Sequence, residues 1–378
     1  MTAARPLHIA KFVPPPYAGV EAHADTLLRT LLPEVQGTLV AGEWPTPQPR
    51  PPMPYRVLSA RPFGTLGNLP LSPGVVRHAQ RELRSGRCNL LHLHAPNPLG
   101  DLASLLCDRK VPVVMTWHSD IVRQRTMLKF YRPLQRRALQ RADRIVVFTP
   151  KHYESSEQLH QIDLAAKIVK VPIGIDFSRL DPVGADPAVR AAIDAFARGR
   201  PVALTVGRHV YYKGYEFLLS AIARLRSEAV LVMIGSGVLM PDLVRQAGEL
   251  GIRERVLFLG EIADAGLVSA MHRCDFFCLP SIEPSEAFGI ASAEAMSCGK
   301  PTVVCDLGNG VNYLNREGVT SLTVPRRDVG ALAEAIDTLA LDPGLRSRLG
   351  AAAARWVADE FGIASMKRGM MDLYRTLL

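Results

Sequence analysis

Residues 280–296 read PSIEPSEAFGIASAEAM and indicate a polar loop followed by a helix. The apolar run Phe276–Leu279 that precedes them has the length of a buried strand. Good helix formers follow Gly289, and the helix is predicted to end at residues 299–301, which read Gly-Lys-Pro. This order places the loop at the carboxyl end of a strand, where open α/β sheets bind their ligands.

Two glutamates mark this segment. Glu286 lies just before the predicted helix and Glu294 two turns along it, so both fall on roughly the same helix face. They are too far apart along the helix to share a proton, but they suit the two ends of one long ligand with hydroxyl groups. Between them, the backbone N–H groups of Phe288, Gly289 and Ile290 form a natural site for a phosphate or a hydroxyl. The alternative is that Glu294 is a solvated helix residue and Glu286 a charge favoured by the helix dipole.

Other strand ends also carry polar residues. Arg208 and Lys213 follow the predicted strand Val202–Val206 and precede a helix, which makes a diphosphate site. Gly19 lies between the first strand and the first helix, a generic phosphate-approach position that a plain turn glycine would also fill. His118 ends another strand and is either a site residue or an ordinary loop histidine.

Length and composition predict two α/β domains. The 378 residues suffice for two domains of ordinary size, and strand and helix patterns alternate, which favours parallel sheets. We place the domains at 1–195 and 196–362. No run of 18 apolar residues is present, and the first residues do not resemble a signal peptide. The six cysteines form no C-x-x-C pair and are expected to be reduced core residues of a cytosolic protein.

The positive charge is confined to the first half of the chain. Residues 1–195 hold 25 of the 45 Lys and Arg against 16 of the 36 Asp and Glu, which accounts for the whole net charge of +9. An anionic partner is therefore expected. Residues 123–144 predict a basic amphipathic helix, broken or bent near Pro133, of the kind that lies on anionic bilayers. Its alternative is a solvated face whose apolar side is partly in the core. The cations assigned to this membrane and acceptor patch are Arg123, Arg125, Lys129, Arg132, Arg136 and Arg137.

The spacing Glu286-x-Phe288-Gly289 with Glu294 resembles the E-x-F-G-x-x-x-x-E motif of the retaining glycosyltransferases of family 4. The resemblance covers nearly the whole chain. It implies the GT-B fold, in which two Rossmann-like parallel-sheet domains face each other across a cleft. The final helix, about 363–378, would cross back to the first domain. The first domain would bind the acceptor and the second the nucleotide-sugar donor.

The resemblance also implies roles for single residues. Glu286 would hold donor-sugar hydroxyls and His118 would lie against the same sugar, which makes them the catalytic pair. Glu294 would hold the ribose, and the backbone near Ile262 would read the base. Arg208 and Lys213 match the family's G-R…K-G element and would neutralise the diphosphate. The family's Gly-Gly pair is Ala-Gly at residues 18–19, so one glycine of the phosphate approach is missing.

Finer resemblance lies in residues 117–124 and 132–137, which look like a subgroup that builds bacterial O-antigen and other surface polysaccharides. It implies transfer of mannose or rhamnose from GDP-mannose or GDP-rhamnose to a polyprenyl-diphosphate-linked saccharide, at the cytoplasmic face of the inner membrane. Because no Asp-x-Asp is present to hold a metal on the diphosphate, we expect metal independence and no cofactor besides the nucleotide sugar. A zinc site formed by His92, His94 and His118 is a minor alternative. One of His92 and His94 is expected to face the acceptor.

Several rival functions are considered. A UDP-sugar donor would keep the fold and the chemistry. A GT-B epimerase or hydrolase would turn over the donor without an acceptor, and a membrane-bound sugar-nucleotide-binding protein would not turn it over. No nucleic-acid-binding module appears, so no nucleic-acid partner is expected. A dehydrogenase would need G-x-G-x-x-G after the first strand, which is absent.

Overall fold

The structure, a computed structural model, describes residues 3–15, 19–46, 49, 51–66, 69–121 and 125–378. The chain divides into two compact units, Met1–Ile175 with Ile363–Leu378, and Asp176–Gly362. The boundary expected after residue 195 therefore lies within the second unit.

Both units alternate strands and helices. The strands are β1 Pro6–Phe12, β2 Thr38–Gly42, β3 Arg56–Ala60, β4 Thr65–Leu66, β5 Leu69–Pro70, β6 Leu90–Ala95, β7 Val113–Trp117, β8 Arg144–Val147, β9 Ile168–Lys170, β10 Val202–Val206, β11 Val230–Ile234, β12 Val256–Gly260, β13 Phe276–Leu279, β14 Thr302–Cys305 and β15 Ser321–Val324. The helices are α1 Gly19–Leu31, α2 Gly74–Arg84, α3 Pro98–Leu106, α4 Arg125–Arg141, α5 Pro150–Glu154, α6 Pro187–Ala197, α7 Tyr215–Ile222, α8 Met240–Glu249, α9 Asp264–Arg273, α10 Ile290–Ser297, α11 Gly310–Leu314, α12 Val329–Leu341, α13 Pro343–Phe361 and α14 Ile363–Arg375.

Each unit is built on one parallel sheet. The first has the order β3-β2-β1-β6-β7-β8-β9 and the second β12-β11-β10-β13-β14-β15. Every pair in these two sheets is parallel, while β4 and β5 form a small antiparallel pair. The predicted α/β class and its two parallel sheets are confirmed. Since parallel strands end at one edge, the loops that follow them gather the polar residues of each unit there.

The two faces of the first sheet differ in character. Leu7, Ile9, Leu91 and Leu93 enter one apolar cluster with residues of α2 and α3. Because successive side chains alternate along a strand, the histidines between these residues point to the opposite face. On that face Met366, Met370 and Tyr374 of α14 pack with Leu27 and Leu31 of α1. The last helix therefore completes the core of the first unit.

The second unit has one large core, and helix α6 contributes to it. The boundary expected after residue 195 would place most of this helix in the first domain. Instead, α6 buries Ile193 and Ala197 in the core of the second unit and packs on α9. The sequence pattern gives little indication of this packing, because only two of the eleven residues of α6 are buried. Among the described helices, none combines the length and the apolar character needed to cross a bilayer.

Candidate functional site

The loops after β10 and β13 are in close backbone contact at the carboxyl edge of the second sheet. Gly214 has φ of +67°, and a Cβ added there would lie 2.3 Å from the carbonyl oxygen of Pro280. Close by, the N–H of Ile282 donates to the carbonyl of Tyr212 at 2.8 Å. Glycine is required at position 214 because both the backbone angle and the close approach exclude a side chain.

This contact brings together two residues that lie 73 positions apart in the sequence. The Lys213 ammonium lies 2.5 Å from Oε2 of Glu286, and the two side chains are only 11% and 12% exposed. The Ser281 hydroxyl donates to the same oxygen at 3.1 Å. In the described part of the chain, no residue bonds the other carboxylate oxygen, Oε1. Glu286 is therefore a fixed, neutralised carboxylate with one oxygen left to accept a hydrogen bond.

The pairing changes the role predicted for Lys213. The sequence assigned this cation to a diphosphate, whereas the structure shows it bonded to Glu286. Arg208 differs, because it is exposed and no ion pair joins it to any other described residue. Its loop packs on the loop after β11, where the N–H of His209 donates to the carbonyl of Ser236 at 2.7 Å. Arg208 thus remains available to an anion.

The N-terminus of α10 has the geometry expected for an anion or hydroxyl site. Gly289 adopts φ of +82° and turns the chain into the helix, whose first N–H groups have no acceptor within the helix. Phe288 is buried and packs edge-on against Phe361, with ring centroids 4.9 Å apart. Its side chain therefore anchors the loop, and only its backbone can contact a ligand. Ile290 is 42% exposed beside these N–H groups.

Glu294 is held by a residue that the sequence analysis missed. The carboxylate is 4% exposed and forms an ion pair with Arg179, which lies in a short 3-10 turn of the same unit. Burial raises the pKa of the Glu294 carboxyl, while the neighbouring guanidinium opposes the rise. No motif marks Arg179, because the contact spans 115 residues. Glu294 is therefore not the solvated residue of the alternative interpretation.

Ile262 follows β12 on the same edge of the sheet. Its side chain is half-buried and faces Gly266 of α9, where an added Cβ would lie 3.3 Å from Ile262 Cδ1. The preceding turn is fixed by a hydrogen bond from the N–H of Gly235 to the carbonyl of Gly260 at 2.8 Å. Any recognition of a base here would use backbone groups, as the resemblance implies.

In the first unit, His118 stands at the end of β7 and contacts other histidines. Its Nε2 lies 3.1 Å from Nδ1 of His94, and Nε2 of His94 lies 3.1 Å from Nδ1 of His8. Burial lowers the pKa of His118 well below its ordinary value, with the nearby His23 adding to the effect. The imidazole is therefore neutral at neutral pH. His92 and His94 are both fully buried, so neither faces an acceptor.

Two groups of three histidines have ligand atoms within 4.8 Å of one another: His8, His92 and His94, and His23, His94 and His118. Among the described residues, the triple of His92, His94 and His118 considered from the sequence is not such a group. Both ring nitrogens of the buried His23 have no hydrogen-bond partner there.

Gly19 opens α1 on this unit. Apart from its chain neighbours, no described residue has an atom within 4 Å of a Cβ added at this position. Packing against the described residues therefore does not require glycine here. The preceding residues of the predicted phosphate approach, including residue 18, lie outside the described part of the chain.

Helix α4 places its cations on the outside. It runs through Pro133 without interruption, so the predicted break is absent. Leu128, Ala138 and Leu139 are buried, and α4 packs on α3. This burial agrees with the alternative interpretation of the segment, a solvated helix whose apolar side lies partly in the core. The exposed face nevertheless holds Phe130, 84% exposed, among the cations Lys129, Arg132, Arg136 and Arg137. Arg123 and the side chain of Arg125 lie outside the described residues.

Family models match both halves of the chain. A model described as Glycosyltransferase Family 4 matches residues 17–179, and one described as Glycosyl transferases group 1 matches residues 191–356. The D-rhamnosyltransferase WbpZ of Pseudomonas aeruginosa is 34% identical over 272 residues, which are 71% of this chain and 68% of that protein. The O-antigen chain mannosyltransferase C of Escherichia coli is 31% identical over 290 residues, covering 77% and 76%.

Solved structures share the fold at lower identity. A crystal structure of Anabaena HepE in complex with UDP superposes with a TM-score of 0.78 at 19% identity, covering 98% of this chain and all of that one. WaaG, described as a glycosyltransferase involved in lipopolysaccharide biosynthesis, gives a TM-score of 0.69 at 16% identity, covering 98% and 99%. These likenesses confirm the predicted GT-B fold.

Proposed function

Because the chain belongs to glycosyltransferase family 4, we propose that it transfers a mannosyl or rhamnosyl group from a GDP-sugar to a polyprenyl-diphosphate-linked saccharide. Membership in the family and activity as a hexosyltransferase are confirmed predictions. The donor and acceptor are our proposal, supported by the rhamnosyl- and mannosyltransferase relatives. The product would be a bacterial surface polysaccharide such as an O-antigen.

The observation that carries the mechanism is the carboxylate of Glu286, fixed by Lys213 and Ser281 with Oε1 free. A free carboxylate oxygen accepts hydrogen bonds from sugar hydroxyls and orients the ring. The ammonium neutralises the other oxygen, which makes the carboxylate a poor covalent nucleophile. Retention of configuration would then follow from attack on the same face as the departing diphosphate, through an oxocarbenium-like state.

The leaving diphosphate requires positive charge that is placed before the reaction begins. Arg208 and the N–H groups at the start of α10 would supply it. The family resemblance assigns the approach of the phosphates to Gly19. These groups make a divalent cation on the diphosphate unnecessary, so we propose metal independence. Neutral His118 would contact the donor sugar, and Glu294 would hold the ribose while paired with Arg179.

Helix α4 supports an attachment to the membrane surface. Phe130 offers an apolar side chain, and the flanking cations suit anionic lipid headgroups. Such a surface would bring the enzyme to a lipid-linked acceptor. We therefore propose a cytoplasmic enzyme, peripheral on the cytoplasmic face of the inner membrane.

The test is a panel of GDP-mannose, GDP-rhamnose, UDP-glucose and UDP-N-acetylglucosamine, assayed for nucleotide release in EDTA with and without a polyprenyl-diphosphate saccharide. We expect acceptor-dependent GDP release. Release of UDP would contradict the donor, and release without an acceptor would indicate a hydrolase or epimerase. Tight binding of a donor without any release would favour a non-catalytic binding protein.

A matched pair of variants tests the role of Glu286. Glu286→Gln should lower kcat by about 30- to 1,000-fold, equivalent to roughly 2–4 kcal/mol of barrier for one preorganised group. Glu283→Gln in the same loop, whose carboxylate accepts from Tyr211 at 2.8 Å, should keep the parent rate. Equal rates in the parent and the Glu286 variant would refute the mechanism.

A further inference from the structure

A continuous chain of hydrogen bonds leads from β7 through the buried histidines to His118. It joins Thr116 Oγ1 to His92 Nε2 (2.7 Å), His92 Nδ1 to Tyr374 Oη (2.6 Å), Tyr374 Oη to His8 Nε2 (3.3 Å), His8 Nδ1 to His94 Nε2 (3.1 Å) and His94 Nδ1 to His118 Nε2 (3.1 Å). All its members before His118 are at most 1% exposed.

The protons of this chain are coupled. A neutral imidazole has one N–H and one nitrogen that accepts, so each ring donates on one side and accepts on the other. If His94 carries its proton on Nδ1, it donates to His118, whose own proton must then be on Nδ1. If His94 carries it on Nε2, His118 must be protonated on Nε2. Tyr374 has a single proton and transmits the same order to His92.

The Thr116 end decides between the two orders. When the hydrogen bonds run from Thr116 toward His118, the threonine hydroxyl donates to His92 and every proton up to His118 Nε2 has an acceptor, while the Nδ1–H of the half-buried His118 is left for solvent or a ligand. In the opposite order, the hydroxyl must accept from His92, and its own proton needs another acceptor. Within the described residues, the hydroxyl of Thr116 has no hydrogen-bond partner besides His92, and the side chain is fully buried. A buried donor without an acceptor is unfavourable, so the first order is preferred.

We propose that this chain is a positioning device that holds His118 in the tautomer with its proton on Nδ1, and that Tyr374 transmits the order from Thr116. The nitrogen that the chain does not use is then a hydrogen-bond donor, suited to an oxygen of the donor sugar. Tyr374 lies on α14, so the docking of the last helix is part of the device. The proposal rests on the proposed function in one respect, the contact between His118 and the sugar.

Three variants and a control test the chain. Thr116→Val removes the hydroxyl and keeps the shape, Thr116→Ser keeps the hydroxyl, and Tyr374→Phe breaks the chain at its middle. Tyr55→Phe is the control, because it removes a buried hydroxyl of the same unit that is bonded to Asp25 and takes no part in the hydrogen-bond chain. Long-range proton–nitrogen NMR spectra of protein with labelled histidines report which nitrogen of each ring carries the proton. The readout is independent of catalysis.

We expect the Nδ1–H tautomer of His118 to dominate in the parent, in Thr116→Ser and in Tyr55→Phe. In Thr116→Val and Tyr374→Phe the two tautomers should approach equal populations. The kcat of these two variants should fall by about tenfold, as for loss of one hydrogen bond, with the KM for the donor within about twofold.

The outcomes distinguish a failure of the proposed hydrogen-bond chain from a failure of the proposed function. Unchanged His118 tautomers in both disrupted variants would overturn the inference, whatever the rates. Altered tautomers with unchanged kcat would support the chain and contradict the role of His118 at the sugar. The purified protein could also contain one equivalent of zinc whose removal changes the histidine spectra. That result would overturn the inference, because the nitrogens of His23, His94 and His118 would then bind a metal.

Discussion

Lowering the pH should destabilise the first unit strongly, because its histidines are buried in the neutral form. Burial lowers the pKa of His8 from 6.5 to about 3, and of His23 and His152 to about 4. Below pH 6.5 the unfolded chain binds protons that the folded chain cannot bind, so the free energy of unfolding falls as pH falls. Each pH unit costs about 1.4 kcal/mol per histidine.

The raised pKa of Asp101, in the same unit, adds about 2 kcal/mol of stability as the pH falls from 6.5 to 5.0. Over the same range the three histidines together should remove roughly 5 kcal/mol, at about 1.6 kcal/mol each. This loss is comparable to the whole stability of many domains, about 5–15 kcal/mol. His92, His94 and His118, whose pKa values burial also lowers well below the ordinary value, act in the same direction.

The assay is urea unfolding at pH 7.5, 6.5, 5.5 and 5.0, with hydrogen exchange of β1 and β6 peptides reporting on the first unit. His23→Phe should reduce the pH dependence by about one proton, since it removes one buried imidazole that has no hydrogen-bond partner among the described residues. His78→Gln, a histidine outside the cluster, is the control. Protection of these strands at pH 5.0 within about 1 kcal/mol of that at pH 7.5 would refute the reasoning.

Three further predictions follow from single residues. Gly289→Ala should lower the free energy of unfolding, measured by chemical denaturation, by about 1–3 kcal/mol more than Gly299→Ala does. Both glycines have positive φ, but only an alanine at position 289 places a Cβ 2.7 Å from Leu279 Cδ2. Equal losses in the two variants would contradict this prediction. Phe130→Ser should weaken binding to anionic vesicles in sedimentation by about tenfold relative to Phe63→Ser, an equally exposed phenylalanine of the same unit; equal affinities would exclude the α4 surface. Burial raises the pKa of Asp101 to about 7, so between pH 4 and 7 the unfolded chain loses a proton that the folded chain keeps and stability falls with rising pH. Asp101→Asn should gain stability relative to the parent across this range, approaching roughly 4 kcal/mol at pH 7, and an unchanged difference in denaturant titrations would contradict the raised pKa.

The fold was largely predictable, because each core strand is a short apolar run that ends in turn residues. Phe276–Leu279 and the glycine-terminated helix after it lie close to the predicted positions. The same local patterns located Arg208, Lys213 and Glu286, since each follows a strand at the carboxyl edge of the second sheet. The division into units was less accurate, because α6 buries only two residues and its pattern does not indicate which core it joins.

Long-range pairing was not predictable from local pattern. The bond between Lys213 and Glu286 depends on how closely the backbones of two loops approach, and the partner of Glu294 lies in a turn without a motif. The histidines appeared in the sequence as an alternation with leucines, which correctly indicates a strand. What the alternation could not show is that His8 and Tyr374 join the same network, because they lie 366 residues apart.

The placement of α14 makes the second unit an insertion within the first. On the ribosome, β1 and β6 emerge early, yet Met366, Met370 and Tyr374 emerge last, after the whole of residues 176–362. The second unit therefore has all its residues and can fold while the first unit still lacks α14, which leaves the apolar face of its sheet uncovered. Any chain that stops before residue 363 lacks α14 and therefore part of the core of the first unit. Chaperones that bind exposed apolar surface would thus meet residues of the first unit, rather than those of the second, during synthesis.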